Sequence, residues 1–220
     1  MRFRDREEAG RMLAEQLREH VGEAPVVLAL PRGGVAVGYE IARALDLPLD
    51  VMMVRKLGVP WHPELGMGAI AEGGAVYLNR DVLAEAELDA EELKKVITDE
   101  AREMERRVQR YRGGHPPTDV KGRTVILVDD GLATGGTARA AVRALRDFGA
   151  GRIILAVPVA ASQTAEPLRD EVDVLVAVQE PSNLWAIGSW YEDFHQMTDE
   201  EVLVLLDQAR RNMGVSPASP

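Results

Sequence analysis

Two adjacent carboxylates, Asp129 and Asp130, follow a run of apolar, β-forming residues at 125–128. Such a run is typical of a strand that is buried on both faces. A loop of small residues at 131–137 comes next and leads into an Ala-rich helical segment. Glycines let the backbone bend around an anion, the free amides at a helix start point at it, and carboxylates accept hydrogen bonds from vicinal hydroxyls. This order of residues predicts a site for a phosphorylated sugar; the alternative is an ordinary strand–helix turn.

Two further segments carry groups that bind anions. Residues 31–34 read Pro-Arg-Gly-Gly and follow the first predicted strand. The amides freed by the two glycines can bind one phosphate, and the Arg32 guanidinium can bind a second. Arg55 and Lys56 follow the second predicted strand, where two cations would offset negative charge as it develops on a leaving group. A plain turn and a solvated strand end are the respective alternatives.

The segment with the paired acids resembles the phosphoribosyl pyrophosphate (PRPP) signature of type I phosphoribosyltransferases. The resemblance implies that Asp129 and Asp130 hold the 2- and 3-hydroxyls of the ribose. It also implies that the loop after them cradles the 5-phosphate, and this loop consists of Ala133, Thr134, Gly135, Gly136 and Thr137.

Residues 31–34 resemble the pyrophosphate loop of the same family. The pyrophosphate ligands that this implies are Arg32, Gly33, Gly34, Arg55 and Lys56. Family members often have a non-proline cis peptide in this loop, and Pro31–Arg32 is the candidate bond. Over the whole chain the resemblance is greatest to bacterial proteins named "putative phosphoribosyltransferases", which share this loop, the Val-Arg-Lys segment at 54–56 and the aromatic C-terminal segment.

Residues 57–68 occupy the place of the family's mobile catalytic loop. Their glycines and prolines suit a lid that closes over a reactive intermediate and excludes water. Glu64 is the candidate for proton handling, and Glu72 is a less favoured one. His62 is either a general base or a surface histidine without a role.

Residues 181–197 resemble the hood that receives the base in 6-oxopurine phosphoribosyltransferases. By that resemblance Trp185 stacks on the base, Ile187 offers backbone groups, and Asp193 faces pyrophosphate-bound Mg²⁺. The alternative is that these aromatic residues pack a core. The 6-oxopurine enzymes carry an acid where this chain has Ala133, and a lysine after the next strand that residues 157–160 do not supply. The nucleobase therefore stays unassigned.

Composition limits the class of protein. The chain has 220 residues, enough for one α/β domain with a sizeable core. Its net charge of −10 argues against a nucleic-acid partner. The absence of cysteine excludes disulfides, thiolate catalysis and Cys-based zinc sites. The N-terminus lacks the apolar core of a signal peptide, and no apolar run approaches the roughly 18 residues of a membrane span, so we expect a cytoplasmic protein without a membrane partner.

Alternating strands and helices predict an α/β fold with a doubly wound, mostly parallel sheet. The predicted sheet strands are 26–30, 49–54, 124–128, 152–159 and 172–178. An insertion is expected to contain a loop at 57–66, a β-hairpin with a Gly-Gly turn at 67–79 and a long charged helix at 88–112. We expect a single domain over 1–213, with a core at about 24–60 and 120–180, an insertion at 61–118, a hood at 181–197 and a disordered tail at 214–220.

The resemblance implies a Mg²⁺-dependent enzyme that transfers 5-phosphoribosyl from PRPP to a small nucleobase-like acceptor and releases pyrophosphate. Mg²⁺ would arrive with PRPP, bound mainly by substrate oxygens and water. The alternative is a non-catalytic regulator that senses PRPP or a nucleotide with the same pocket. Because family members are often dimers, we also expect a homodimer.

Overall fold

A parallel sheet of five strands forms the centre of the protein. A computed structural model describes residues 2–214, except for the side chain of Glu64. The strand order is β2-β1-β6-β7-β8, and every neighbouring pair is parallel. The bounds are β1 Val26–Ala29, β2 Leu49–Val51, β6 Thr124–Val128, β7 Arg152–Val159 and β8 Val174–Gln179. The predicted doubly wound α/β fold is therefore confirmed.

Helices cover both faces of this sheet because its strands are apolar on both sides. Alternate residues of β6 belong to different cores: Ile126 packs with the helices of one face and Leu127 with those of the other. The first face carries α1 Arg6–Leu17, α2 Gly33–Leu45 and α7 Asp199–Asn212. The second face carries α5 Gly136–Asp147 and α6 Ser162–Leu168.

A separate antiparallel sheet replaces the loop that the sequence predicted at 57–66. Its strands, in the order β3-β4-β5, are β3 Val54–Val59, β4 His62–Ala71 and β5 Val76–Leu78. The loop prediction was wrong because the glycines serve close strand approach: a Cβ on Gly58 would lie 2.5 Å from the Pro63 carbonyl, and one on Gly68 would lie 2.2 Å from the Tyr77 carbonyl. The Gly-Gly turn between β4 and β5 is present as predicted, as a 3₁₀ turn at Glu72–Gly74.

Two helices complete the insertion. They are α3 Arg80–Ala86 and α4 Ala90–Arg112, and the second confirms the predicted long helix. Its first turn is closed by a capping box between Asp89 and Glu92. The partly buried residues of its inner face pack against the first core. Its outer face carries ion pairs, such as those of Glu103 with Arg106 and Arg107.

The C-terminal part of the chain forms the hood and the last helix, α7. The hood contains a 3₁₀ turn at Ile187–Trp190, and α7 follows it with a capping box between Thr198 and Glu201. From residue 215 onward the predicted tail lies outside the described residues. Within residues 2–214, none of the helices has the length and apolar character to cross a membrane.

Candidate active site

The loop at 31–34 packs directly against the paired acids. β1 and β6 are neighbouring parallel strands, so the loops after them meet at the carboxyl edge of the sheet. A Cβ built on Gly33 would lie 1.8 Å from Asp130 Oδ2, and one built on Gly34 would lie 2.8 Å from the Val128 carbonyl oxygen. Only glycines allow this approach. The Pro31–Arg32 peptide is cis, as the family resemblance led us to predict.

The two acids are held in different ways. Asp129 Oδ1 accepts a hydrogen bond from the Asp130 amide at 2.9 Å. Asp130 Oδ2 accepts one from Arg6 Nε at 2.9 Å, in an ion pair whose side chains are 14% and 9% exposed. Burial and the neighbouring Asp130 charge raise the pKa of Asp129 well above its usual range. Burial also raises the pKa of Asp130, although Arg6 opposes that rise.

The loop at 133–137, which is predicted to cradle the 5-phosphate, is held by hydrogen bonds to α6 and β7. The Thr164 hydroxyl in α6 donates to the Ala133 carbonyl at 2.6 Å, and the Leu132 amide donates to the Val159 carbonyl at 2.8 Å. Gly135 has φ of +77°, and a Cβ there would approach Thr164 Cγ2 to 2.8 Å. Helix α5 begins at the next residue without a side-chain cap. Its first amides are thus directed at the position where an anion can bind.

The hood contacts Asp130 through Tyr191 and the loop after the acids through Ile187. Ile187 packs against the loop after the acids, because a Cβ on Gly131 would lie 2.5 Å from Ile187 Cγ2. The Tyr191 hydroxyl donates to the Asp130 carbonyl at 2.7 Å. Trp185 is 95% exposed, so its predicted stacking on a base stays a prediction. Asp193 is exposed, and its carboxylate accepts a hydrogen bond from the His195 amide at 3.1 Å.

Two of the predicted pyrophosphate cations, Arg32 and Arg55, are paired with carboxylates. Arg32 Nη1 lies 3.9 Å from Asp199 Oδ1. The sequence had placed Arg55 and Lys56 at the end of the second parallel strand. That strand, β2, ends at Val51, and both residues belong to β3 of the antiparallel sheet. Arg55 there forms an ion pair with Glu100 of α4. Their roles toward pyrophosphate stay predictions.

The candidates for proton handling have three different outcomes. The side chain of Glu64 lies outside the described residues. Glu72 forms an ion pair with the buried guanidinium of Arg112, so it already has a structural partner. His62 is exposed at the start of β4.

Three residues that contact the site were missed from the sequence. They are Arg6, Thr164 and Tyr191, which lie at least 31 positions from the groups that they bind. Arg6 stands in a charged N-terminal segment and resembles its solvated neighbours. Only Tyr191 stood in a segment that the sequence had marked, since it belongs to the predicted hood.

A metal ion would find few protein ligands here. Within residues 2–214, apart from Glu64, no group of three or more His, Asp or Glu side chains is arranged to hold one. The donor set fits a cation that is coordinated mainly by a bound substrate and water.

This architecture defines an α/β protein in which the 31–34 loop and the paired acids meet at the carboxyl edge of the parallel sheet. The family model described as "Phosphoribosyl transferase domain" matches residues 3–193. The chain belongs to the phosphoribosyl transferase family.

Individual relatives agree with this assignment. The chain is 43% identical over 216 residues to a Mycobacterium tuberculosis protein named "Putative phosphoribosyl transferase", and the match covers 98% of this chain and 49% of that protein. The chain therefore spans about half the length of that relative. The crystal structure of TT1426 from Thermus thermophilus is 43% identical, with a TM-score of 0.81, and the match covers 94% of this chain and 99% of that one. A shorter match is to a uracil phosphoribosyltransferase from Desulfitobacterium hafniense. It is 44% identical over 64 residues and covers 28% of this chain and 31% of that protein.

Proposed function

We propose that this chain is a Mg²⁺-dependent phosphoribosyltransferase that transfers 5-phosphoribosyl from PRPP to a nucleobase-like acceptor. The observation that supports this most strongly is the contact of the 31–34 loop with the acid pair, with Gly33 directly against Asp130. The 31–34 loop suits pyrophosphate, and the acid pair suits the ribose hydroxyls. Because the two groups are adjacent in PRPP, their sites must also be adjacent.

The reaction forms a bond from an acceptor nitrogen to C1 of the ribose while the bond from C1 to pyrophosphate breaks. The nitrogen loses its proton, and Glu64 remains our candidate to receive it. The loop from Ala133 to Thr137 would anchor the 5-phosphate, so that C1 is held between acceptor and leaving group. Asp129 and Asp130 would orient the ribose hydroxyls and offset the positive charge that develops on the ring.

Mg²⁺ would be bound mainly by PRPP oxygens, with the exposed carboxylate of Asp193 as a candidate protein contact. When bound, the ion neutralises charge on the departing pyrophosphate. The amides of Gly33 and Gly34 and the guanidinium of Arg32 would hold the same group.

Arg55 can join the pyrophosphate ligands only by exchanging its partner. Its guanidinium contacts Glu100 and lies 3.9 Å from Glu103. A pyrophosphate carries more negative charge than one carboxylate and offers more oxygens, so it can compete for this cation. We propose that this exchange accompanies substrate binding.

The acceptor would sit under the hood, near Ile187 and the exposed ring of Trp185. The neutral Ala133 and the exposed ring of Trp185 are compatible with several planar bases. We therefore propose a nucleobase-like acceptor without assigning the base. We also propose a homodimer; a mass near 24.1 kDa in light scattering would contradict that.

The test is pyrophosphate release from PRPP and Mg²⁺ across a panel of purine and pyrimidine bases. Release that depends on one base, and that is lost when Asp129 and Asp130 are both changed to Asn, would support the enzyme and identify its acceptor. PRPP binding without release on any base would point instead to a non-catalytic sensor.

A further inference from the structure

The ion pair between Arg6 and Asp130 joins the first turn of α1 to the acid pair. The two side chains are among the least exposed charged groups of the molecule, at 9% and 14%. A buried charge pair is costly unless its geometry is good and its remaining donors are satisfied. Arg6 meets this condition, because its second nitrogen, Nη1, donates to the His195 carbonyl at 2.9 Å.

Aromatic rings of the hood hold the guanidinium in place. The Arg6 carbon Cζ lies 3.9 Å from the centre of the Phe194 ring and 5.9 Å from that of Tyr191, within the range of cation–π attraction. The two rings stack on each other with centroids 5.0 Å apart. Tyr191 in turn donates its hydroxyl to the Asp130 carbonyl. Asp130 is therefore held at its side chain and at its backbone by one connected unit.

The N-terminal segment fastens this unit to the hood. The Phe3 amide donates to the Trp190 carbonyl, and the Asp193 amide donates to the Arg4 carbonyl, each at 2.8 Å. Arg6 follows directly, at the start of α1. This segment therefore fixes the position from which the guanidinium reaches Asp130.

We propose that Arg6 is a positioning residue for PRPP: it engages Asp130 Oδ2 and turns Oδ1 toward the ribose hydroxyl. The inference rests on the proposed function, since it assumes that Asp130 binds ribose. Without Arg6, two adjacent carboxylates would share a mostly buried site with no compensating cation, and one of them would take up a proton. A protonated carboxyl is a poorer acceptor for a hydroxyl.

Other titratable groups around the acid pair must be accounted for. Asp129 and the Tyr191 hydroxyl face Asp130. On its outer side, Arg6 borders a cavity with Asp5, Glu7, Asp193, His195, Glu200 and Glu201. Because several charged groups surround Arg6, a matched control is needed.

The experiment compares Arg6→Gln, Arg6→Lys and the control Arg4→Gln. Arg4 lies in the same segment, but its side chain is 65% exposed and pairs with Glu8 on the surface. PRPP with Mg²⁺ is titrated into each protein by calorimetry between pH 5 and 8. We expect Arg6→Gln to weaken binding about tenfold at pH 7.5, the loss of one charge-assisted hydrogen bond, and by more at pH 5. Arg6→Lys should recover the pH profile, and Arg4→Gln should match the wild type.

A second measurement does not depend on PRPP. Carboxyl ¹³C NMR of the free proteins, labelled at aspartate, follows the protonation of Asp129 and Asp130 directly. In Arg6→Gln this pair should titrate at higher pH than in Arg4→Gln. Equal titration and equal PRPP affinity in the two variants would overturn the role of Arg6. If the wild type does not bind PRPP but the titration is shifted in Arg6→Gln, the proposed function is refuted. The effect of Arg6 on the protonation of the acids would still stand.

Discussion

The carboxylate of Asp130 occupies the space that a side chain on Gly33 would need. A Cβ at that glycine would lie 1.8 Å from Asp130 Oδ2 and 2.9 Å from Arg6 Nε. The pyrophosphate-type loop and the ribose-type acids are thus one packed unit, although they lie far apart along the chain. The sequence of each loop is constrained by the other.

Gly33→Ala should therefore weaken PRPP binding in a protein that still folds. The new methyl group forces the Asp130 carboxylate away from Arg6, and overpacking of this kind costs typically about 1–3 kcal/mol of stability. We expect PRPP affinity measured by calorimetry to fall at least about tenfold, while thermal melting still shows one cooperative transition. Wild-type affinity in this variant would mean that the carboxylate does not bind the ligand from its present position.

Asp129→Asn should make the protein more stable and less able to bind PRPP. The pKa of Asp129 is raised by burial and by the Asp130 charge, so keeping Asp129 ionised at pH 7 costs folding free energy. Asparagine is nearly isosteric and can still accept from the Asp130 amide. We expect the free energy of unfolding at pH 7 to be higher in the variant than in the wild type.

The sign of the pH dependence follows from the same shift. Because the folded-state pKa of Asp129 lies above its unfolded value of roughly 3.9, the wild type loses stability as the pH rises through the folded pKa, whereas the variant does not. The gain from Asp129→Asn should therefore shrink as the pH falls toward 4, where the wild-type carboxyl is protonated. Urea unfolding at pH 4 and pH 7 measures this, and a gain that is equal at both values would contradict the assigned cause.

Glu100→Gln should raise the affinity for PRPP or pyrophosphate. The change removes the nearer of the two carboxylates that Arg55 contacts on α4, so Arg55 gives up less of its pairing when the ligand binds. We expect an increase of about threefold to tenfold, in line with the modest value of partly exposed ion pairs. Glu105→Gln on the same helix is the control, because Glu105 is exposed and its loss changes the net charge equally. Equal affinities in the two variants would show that Arg55 does not contact the ligand.

Thr164→Val should weaken the phosphate loop specifically. The Thr164 hydroxyl donates to the Ala133 carbonyl at 2.6 Å, and an unsatisfied buried carbonyl costs about 1–3 kcal/mol. We expect PRPP binding to weaken by roughly tenfold or more, since tenfold corresponds to about 1.4 kcal/mol, in the lower half of that range. Thr164→Ser keeps the hydroxyl and should bind PRPP nearly as well as the wild type; if Ser and Val behave alike, the hydrogen bond is not what supports the loop.

Local pattern was enough to predict the central sheet and the loops that follow β1 and β6. Five apolar runs were each followed by turn residues, and their order fixed which loops lie at the carboxyl edge. The hairpin at 54–71 was missed because glycine is read as a sign of a loop, whereas Gly58 and Gly68 are required by the contact of one strand with its neighbour. Such a requirement arises only from the paired strand.

Long-range contacts explain the pairings of side chains that the sequence did not reveal. Arg6 meets Asp130 across 124 positions, and Arg55 meets Glu100 across 45. Charged residues of a first helical turn or of a long helix usually face solvent. Their partners are decided by how the N-terminal segment and the insertion pack, and periodicity carries no information on that.

The most direct test of the central claim is a calorimetric titration of PRPP with Mg²⁺ into the wild type and into the Asp129→Asn, Asp130→Asn double variant. The account predicts that the wild type binds PRPP, that chelation of Mg²⁺ weakens this binding, and that the double variant binds at least about a hundredfold more weakly, as expected for the loss of two charged acceptors. Equal binding by the two proteins would show that the acid pair is not the ribose site.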